Sequence, residues 1–193
     1  MLPTLRTRRL VLRPARSADL EALWRLLAEP EVRRYLCDDL VLAQEQVEVL
    51  LAGALAHADA GLGLWMIRAG EAAPIGCVGL QPISDAAAAV APVLAGEVEP
   101  LVALGPACWR QGFATEALAA VLAHAFHVLR LPRVVALVDL PNAASHRLLE
   151  RLGFRPLGEV AGPCNRLRAY ERGSGSAGPS CSVFGVDAGQ FPD

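Results

Sequence analysis

Leu104-Gly105-Pro106-Ala107-Cys108-Trp109-Arg110-Gln111-Gly112-Phe113-Ala114-Thr115-Glu116-Ala117 reads as the end of a strand, a tight loop and the first turn of a long helix. Upstream, Glu97 to Leu104 is a strand closed by Gly105-Pro106. Downstream, Ala114, Ala117, Leu118, Val121, Leu122, Ala125 and Leu129 recur at helical spacing, the cleanest stripe in the chain. A strand-to-helix junction of this kind receives anions, because unpaired N–H groups and the positive end of the helix dipole converge on it. Gly112 lets a phosphate approach the backbone and the small Ala114 keeps the next turn clear. A Gly-x-Ala pair alone is a weak signal that a plain strand-loop-helix connection explains better, so the surrounding chain has to decide.

Outward from this junction the pattern alternates. Leu5 to Pro14 reads as one strand with Leu10 and Leu12 on one face. A helix capped by Ser17 carries Leu20, Leu23, Trp24 and Leu27 and ends near Pro30. A second helix, Leu42 to Ala58, places Val47, Leu50, Leu51, Ala54 and Ala58 inward, and Leu62 to Arg68 with Pro74 to Ile83 forms a hairpin. Asp85 to Val93 is an Ala-rich connector. Arg133 to Leu140 carries the continuous apolar run of a strand covered on both faces, and Asn142 to Leu152 is a helix stopped by Gly153. Strands Arg155 to Val160 and Leu167 to Arg172 follow. From Gly173 to Asp193, Gly, Ser and Pro supply 11 of 21 residues, so this segment reads as a tail. The expectation is one α/β domain over residues 1–172, with a mixed, largely antiparallel central sheet flanked by helices.

Composition narrows the chemistry. The 193 residues are 53% hydrophobic, enough for one substantial core, and all 18 cations are Arg. Without Lys, neither a Walker-type phosphate loop nor a pyridoxal Schiff base is possible. A net charge of -2 argues against nucleic acid as a direct ligand. No apolar stretch is long enough for a membrane span and no signal peptide is supported. Five cysteines without a C-x-x-C pair fit reduced thiols, which places the chain in the cytoplasm, and no metal site is expected.

The stretch Trp109-Arg110-Gln111-Gly112-Phe113-Ala114 resembles the cofactor motif Arg/Gln-x-x-Gly-x-Gly/Ala of the GNAT superfamily of acyl-CoA-dependent N-acyltransferases, with Trp109 departing at the first position. Trp followed by Gly-aromatic-Ala-Thr-Glu-Ala is similar to the ribosomal-protein-alanine N-acetyltransferase branch. Three further segments agree in order: Thr7-Arg8-Arg9-Leu10-Val11-Leu12-Arg13-Pro14, Ile75-Gly76-Cys77-Val78-Gly79-Leu80, and Asn142-Ala143-Ala144-Ser145 through Leu152-Gly153-Phe154. The resemblance spans about residues 5 to 172. It implies acetyl transfer from acetyl-CoA, as co-substrate, to a primary amine by direct attack. It implies that the diphosphate sits on the amides from Arg110 through Gln111, Gly112, Phe113 and Ala114 to Thr115. The pantetheine arm would pair with the backbone of Val102 and Leu104, and Asn142 would hold it from the other side. A fixed N–H there would stabilise the tetrahedral oxyanion. A monomer or homodimer is expected.

Two departures bear on the acid and base. Seven positions after Asn142, where many members carry a Tyr that protonates the leaving thiolate, this chain has Leu149. Ser145 is the remaining proton donor, and the same hydroxyl also fits a residue that only touches cofactor. Glu99 fits a general base or the orienter of a water; a solvated strand Glu fits it too, and Glu97 competes. Deprotonating an α-amine at pH 7 costs about 1 kcal/mol against about 4.6 kcal/mol for a Lys amine, so a sparse acid–base set suits an N-terminal or small low-pKa amine. A non-catalytic acyl-CoA-binding module is the rival reading. His124 and His127 lie off the apolar stripe and read as surface residues; His146 points about 100° away from Ser145. Cys108 adjoins the anion loop and reads first as a buried thiol. Trp24, Trp65 and Trp109 read as packing residues.

Overall fold

The computed structural model describes residues 2–36, 39–70 and 73–175. In chain order the elements are β1 (Leu5–Arg6), β2 (Leu10–Pro14), α1 (Leu20–Ala28), α2 (Pro30–Leu36), α3 (Gln44–Ala56), β3 (Gly63–Ala69), β4 (Gly76–Pro82), α4 (Asp85–Val90), β5 (Val98–Leu104), α5 (Phe113–Ala123), β6 (Arg133–Asp139), α6 (Ala143–Arg151), β7 (Arg155–Ala161) and β8 (Arg166–Gly173). One sheet runs β1-β2-β3-β4-β5 and a second runs β6-β8-β7. All the described ladders are antiparallel. The helix α5 lies between β5 and β6 in sequence, the crossover that parallel neighbours require.

Both faces of the larger sheet are covered, and side-chain alternation sorts them. Trp65, Ile67, Val78, Leu80 and Leu104 face the buried side of α5 at Ala117, Leu118, Val121 and Leu122. Leu64, Met66, Cys77 and Ala103 face α1 and α3 at Leu23, Leu27, Val47 and Leu51. This two-sided burial explains why β3 carries the unbroken apolar run Leu64-Trp65-Met66-Ile67. In β6, Val134 joins the α5 layer, whereas Val135 packs with Ala169 beneath Ala91 and Leu94. Gly76 permits the close approach of β4 and β5, since a Cβ there would collide with the Ala103 carbonyl oxygen.

Several sequence expectations need correction. Leu5 to Pro14 is a hairpin, not one strand: Thr7 N–H donates to Leu10 O at 2.9 Å and turns the chain. The first helix does end near Pro30, at Ala28, but Pro30 also opens α2, a helix the sequence reading lacked, as its fixed φ allows at a first helical position. Ser17 does not cap α1; Asp19 organises that entry, accepting from Arg16 N at 2.8 Å and from Arg13 Nη2 at 2.6 Å. Leu50, assigned to the inner stripe of α3, is 54% exposed. The Ala-rich connector is helical, with Ser84 Oγ accepting from Ala87 N.

His124 is buried, not on the surface. His124 N–H still bonds Ala120 O as in a regular α-helix, and the residue stands seven positions after buried Ala117 and three after buried Val121, so it lies on the inward stripe; the π-helical turn over His124–Val128 begins only there. Its Nε2 meets Gly61 O at 2.9 Å and its ring stands edge-on to Trp65. Burial pushes its pKa down, with the Gly61 contact opposing. His127 is exposed, as expected. The expected tail begins where β8 ends; residues 176–193 lie outside the described residues, as do Cys37 and Cys181.

Candidate active site

The site begins with a strand that is paired on one side only. Gly105 N–H donates to Ile75 O at 3.0 Å, and Ile83 N–H donates to Glu97 O at 2.8 Å. In an antiparallel ladder a residue sends its N–H and C=O the same way, so Glu97, Glu99, Leu101 and Ala103 turn theirs to β4. Pro100, Val102 and Leu104 turn theirs away from it. No described ladder joins β5 to β6, and a cleft of about 1150 Å³ runs between them, lined also by α2 and by the first turns of α5 and α6. Pro100, which has no N–H, sits on the unpaired edge where none is required.

At one end of the cleft lies the anion loop. Arg110 and Gly112 both adopt left-handed conformations, with φ of 59° and 79°. The first bond of α5 is Glu116 N–H to Gly112 O at 3.0 Å, and no side chain caps the helix. The amides of Phe113, Ala114 and Thr115 therefore lead the helix open, as anion binding requires. Trp109 does more than pack: its Nε1–H donates to Leu104 O at 2.7 Å, tying the loop to the end of β5. The backbone pairing expected at Leu104 is thereby limited to its N–H, while Val102 keeps both groups. Gln111 does not line the cleft; its side chain donates to Ala107 O at 3.0 Å.

Across the cleft, Asn142 caps α6, its Oδ1 accepting from Ser145 N at 3.1 Å, which leaves its amide nitrogen to the cleft. Ser145 and Leu149 line the same wall, Leu149 buried. His146 turns elsewhere: Nε2 reaches Asp139 O and Leu140 O, and Nδ1 meets Tyr170 Oη at 2.8 Å. Its role is to lock α6 onto β6 and β8. Cys108 is half-buried and lines the loop end.

The two candidate glutamates part company. Glu97 is held by Arg133 at 2.9 Å and is absent from the cleft wall. Glu99 is in the wall, and burial pushes its carboxyl above the usual range, partly opposed by the Gln81 Nε2–H that donates to Oε1 at 2.9 Å. Gln81 was not legible as a site residue, because only the register pairing Gln81 with Glu99 brings them together. The α2 wall was missed with the helix itself. It contributes Arg33 and Tyr35, and Tyr35 Oη–H donates weakly to Pro141 O at 3.4 Å. Among the described residues no cluster of His, Cys, Asp or Glu is placed to hold a metal, and no helix is long and apolar enough to cross a membrane.

A sheet parted between two strands, with open helix amides at one end of the gap and a half-buried carboxyl in its wall, is the architecture of a coenzyme A-dependent acyltransferase. The chain belongs to the GNAT acetyltransferase family: residues 9–155 match the model of the acetyltransferase (GNAT) domain. It is 30% identical over 176 residues to the uncharacterized N-acetyltransferase YoaA of Bacillus subtilis strain 168, covering 90% of this chain and 92% of that protein. A GnaT-family acetyltransferase from Bordetella pertussis superposes with a TM-score of 0.75 at 30% identity, over 88% of this chain and 99% of the other. RimL, a ribosomal L7/L12 α-N-protein acetyltransferase solved with coenzyme A, shares the fold at 19% identity and a TM-score of 0.72, over 89% and 98% of the two chains.

Proposed function

We propose that this acetyl-CoA-dependent acetyltransferase modifies a primary amine, the α-amine of a protein N-terminus or a small amine of similar pKa, by direct attack. The observation that carries the reading is the continuity of the cleft: the α5 amides, the unpaired backbone of Val102, Asn142, Ser145 and Glu99 all line one space. The diphosphate would rest on the amides between Arg110 and Thr115, and the pantetheine arm would pair with the Val102 C=O and the Leu104 N–H. The amine nitrogen attacks the acetyl carbonyl carbon while Glu99 accepts its proton, a task suited to a carboxyl whose pKa is raised towards the working range. The oxyanion meets the Val102 N–H. As the C–S bond breaks, Ser145 Oγ–H gives its proton to the thiolate and recovers one from solvent.

An α-amine needs the least help from such a set, and RimL, which shares the fold, is an α-N-protein acetyltransferase. The free thiols of Cys108 and Cys164 suit a reducing cytoplasm. Thiol release from acetyl-CoA, measured across N-terminal peptides, polyamines, aminoglycosides and amino acids, tests activity and acceptor together. Coenzyme A binding without thiol release on any acceptor would instead assign the chain to non-catalytic acyl-CoA binding.

A further inference from the structure

The first turn of α5 carries a negative charge where a diphosphate is to bind. Glu116 sits there beside the positive end of the helix dipole, the position that a bound anion also seeks. Its carboxylate is enclosed by residues more than a hundred positions away in the chain. Thr7 Oγ1–H donates to Oε1 at 2.6 Å, Arg9 N–H donates to Oε1 at 2.8 Å, and Arg9 Nε–H donates to Oε2 at 2.7 Å. Burial raises the Glu116 pKa, but these bonds outweigh it and hold the carboxyl below the usual glutamate range, so the acid is ionised.

The same guanidinium also grips the loop. Arg9 Nη1–H donates to Gln111 O at 2.9 Å, and the group lies over the Phe113 ring, 4.6 Å from its centre. A Cβ on Gly112 would stand 3.3 Å from Arg9 Nη2, so the charge lies directly behind the left-handed turn. Neither Arg9 nor Glu116 lines the cleft. Both act on it from outside.

We infer that Arg9 is a positioning residue for the coenzyme site: held against the Gln111–Phe113 backbone, its guanidinium cancels the Glu116 charge that would repel a diphosphate resting on those amides. This rests on the placement of the diphosphate proposed above. An acidic first turn stabilises α5 when the site is empty, and the paired Arg keeps that acid from opposing the ligand. The turn between β1 and β2 thus supplies a residue of the coenzyme site although it makes no contact with the cleft.

Calorimetric titration of coenzyme A into the wild type, Arg9→Gln, Arg9→Lys and the double variant Arg9→Gln/Glu116→Gln tests this. Arg9→Gln should bind about fivefold to tenfold more weakly at low ionic strength, the scale of a charge at a helix terminus, and less so at high salt. The KM for acetyl-CoA should rise with kcat within about twofold of wild type. Arg9→Lys and the double variant should both return to within about threefold of wild type, the double because the charge to be shielded is gone. A purely structural brace predicts the opposite for the double variant, which lacks both partners. Arg9→Gln at wild-type affinity, or a double variant as weak as Arg9→Gln, overturns the inference. If Arg9→Gln fails to fold, Arg9→Lys and the double variant still decide it. A wild type that binds no coenzyme A overturns the underlying site placement instead.

Discussion

The two ends of the cleft are built from different parts of the chain's chemistry. At the α5 end the working groups are backbone amides, held by two left-handed residues, a Trp109 tether and the Arg9 brace. At the α2 end the wall is made of side chains, among them Arg33 and Tyr35, and the bond from Tyr35 to Pro141 is long. Backbone recognition constrains sequence tightly, because only certain residues permit the conformation. Side-chain recognition leaves the sequence free to vary with the acceptor. If, as proposed, coenzyme A takes the α5 end and the amine acceptor enters from the α2 end, the contrast accounts for a motif at the first and none at the second.

The strongest way to break the α5 end is Gly112→Glu, which puts bulk, a carboxylate and a strained φ where the diphosphate is to rest. Loss of coenzyme A affinity by more than about a hundredfold is expected by calorimetry, together with about 1 kcal/mol of stability for the left-handed conformation. Affinity near wild type in the folded variant would remove the diphosphate from this loop.

Between the two ends, Glu99→Gln should lower kcat/KM about a hundredfold with coenzyme A affinity intact. In the wild type kcat/KM should fall as pH drops through the raised Glu99 pKa. Stability has the opposite sign: the folded protein keeps this proton over a range in which the unfolded chain has lost it. Stability from Glu99 is thus full below the ordinary glutamate value and declines as pH rises through the raised one. Glu99→Gln should therefore melt higher than wild type at neutral pH, and an unchanged or lower Tm there would contradict the burial argument.

Ser145→Ala separates acid from contact. A drop in kcat of about tenfold, with little change in coenzyme affinity, is expected if the hydroxyl protonates the thiolate; equal turnover would return that proton to water. At the α2 end Tyr35→Phe should shift acceptor KM by about twofold to threefold and leave coenzyme binding alone, since it removes a single weak, partly exposed bond. Smallest of all, a chain ending at Gly175 should keep its Tm, coenzyme affinity and turnover, because among the described residues all that line the cleft lie upstream. An early melting transition would show that residues 176–193 complete one of the two ends.

Much of the frame was readable because local rules and burial agreed. The stripe of α5, the two-sided β6 and the Asn142–Gly153 helix each followed from periodicity and punctuation, as did the β3–β4 hairpin. What escaped was set by contacts distant in sequence. The turn at Thr7–Arg9 interrupts a good strand pattern because its polar groups bond to Glu116. His124 stands on the buried stripe, seven positions after Ala117, and Gly61 O and Trp65, distant in sequence, accommodate its polar ring there. Glu99 and Glu97 look alike in sequence, two positions apart on one strand. Only Arg133, from β6, takes one of them out of contention.

Pro100 has a bearing on the empty protein. An unpaired strand edge inside a cleft is a template on which a foreign β-strand, or that of another copy, can polymerise. Extension along such an edge needs a donor at every second residue, about 7 Å apart. Pro100 removes one from the middle of β5, so the edge offers too short a run to nucleate a sheet. A flexible ligand with few amides needs only what remains at Val102 and Leu104. Pro100 therefore confines the donors on the cleft half of this edge to Val102 and Leu104.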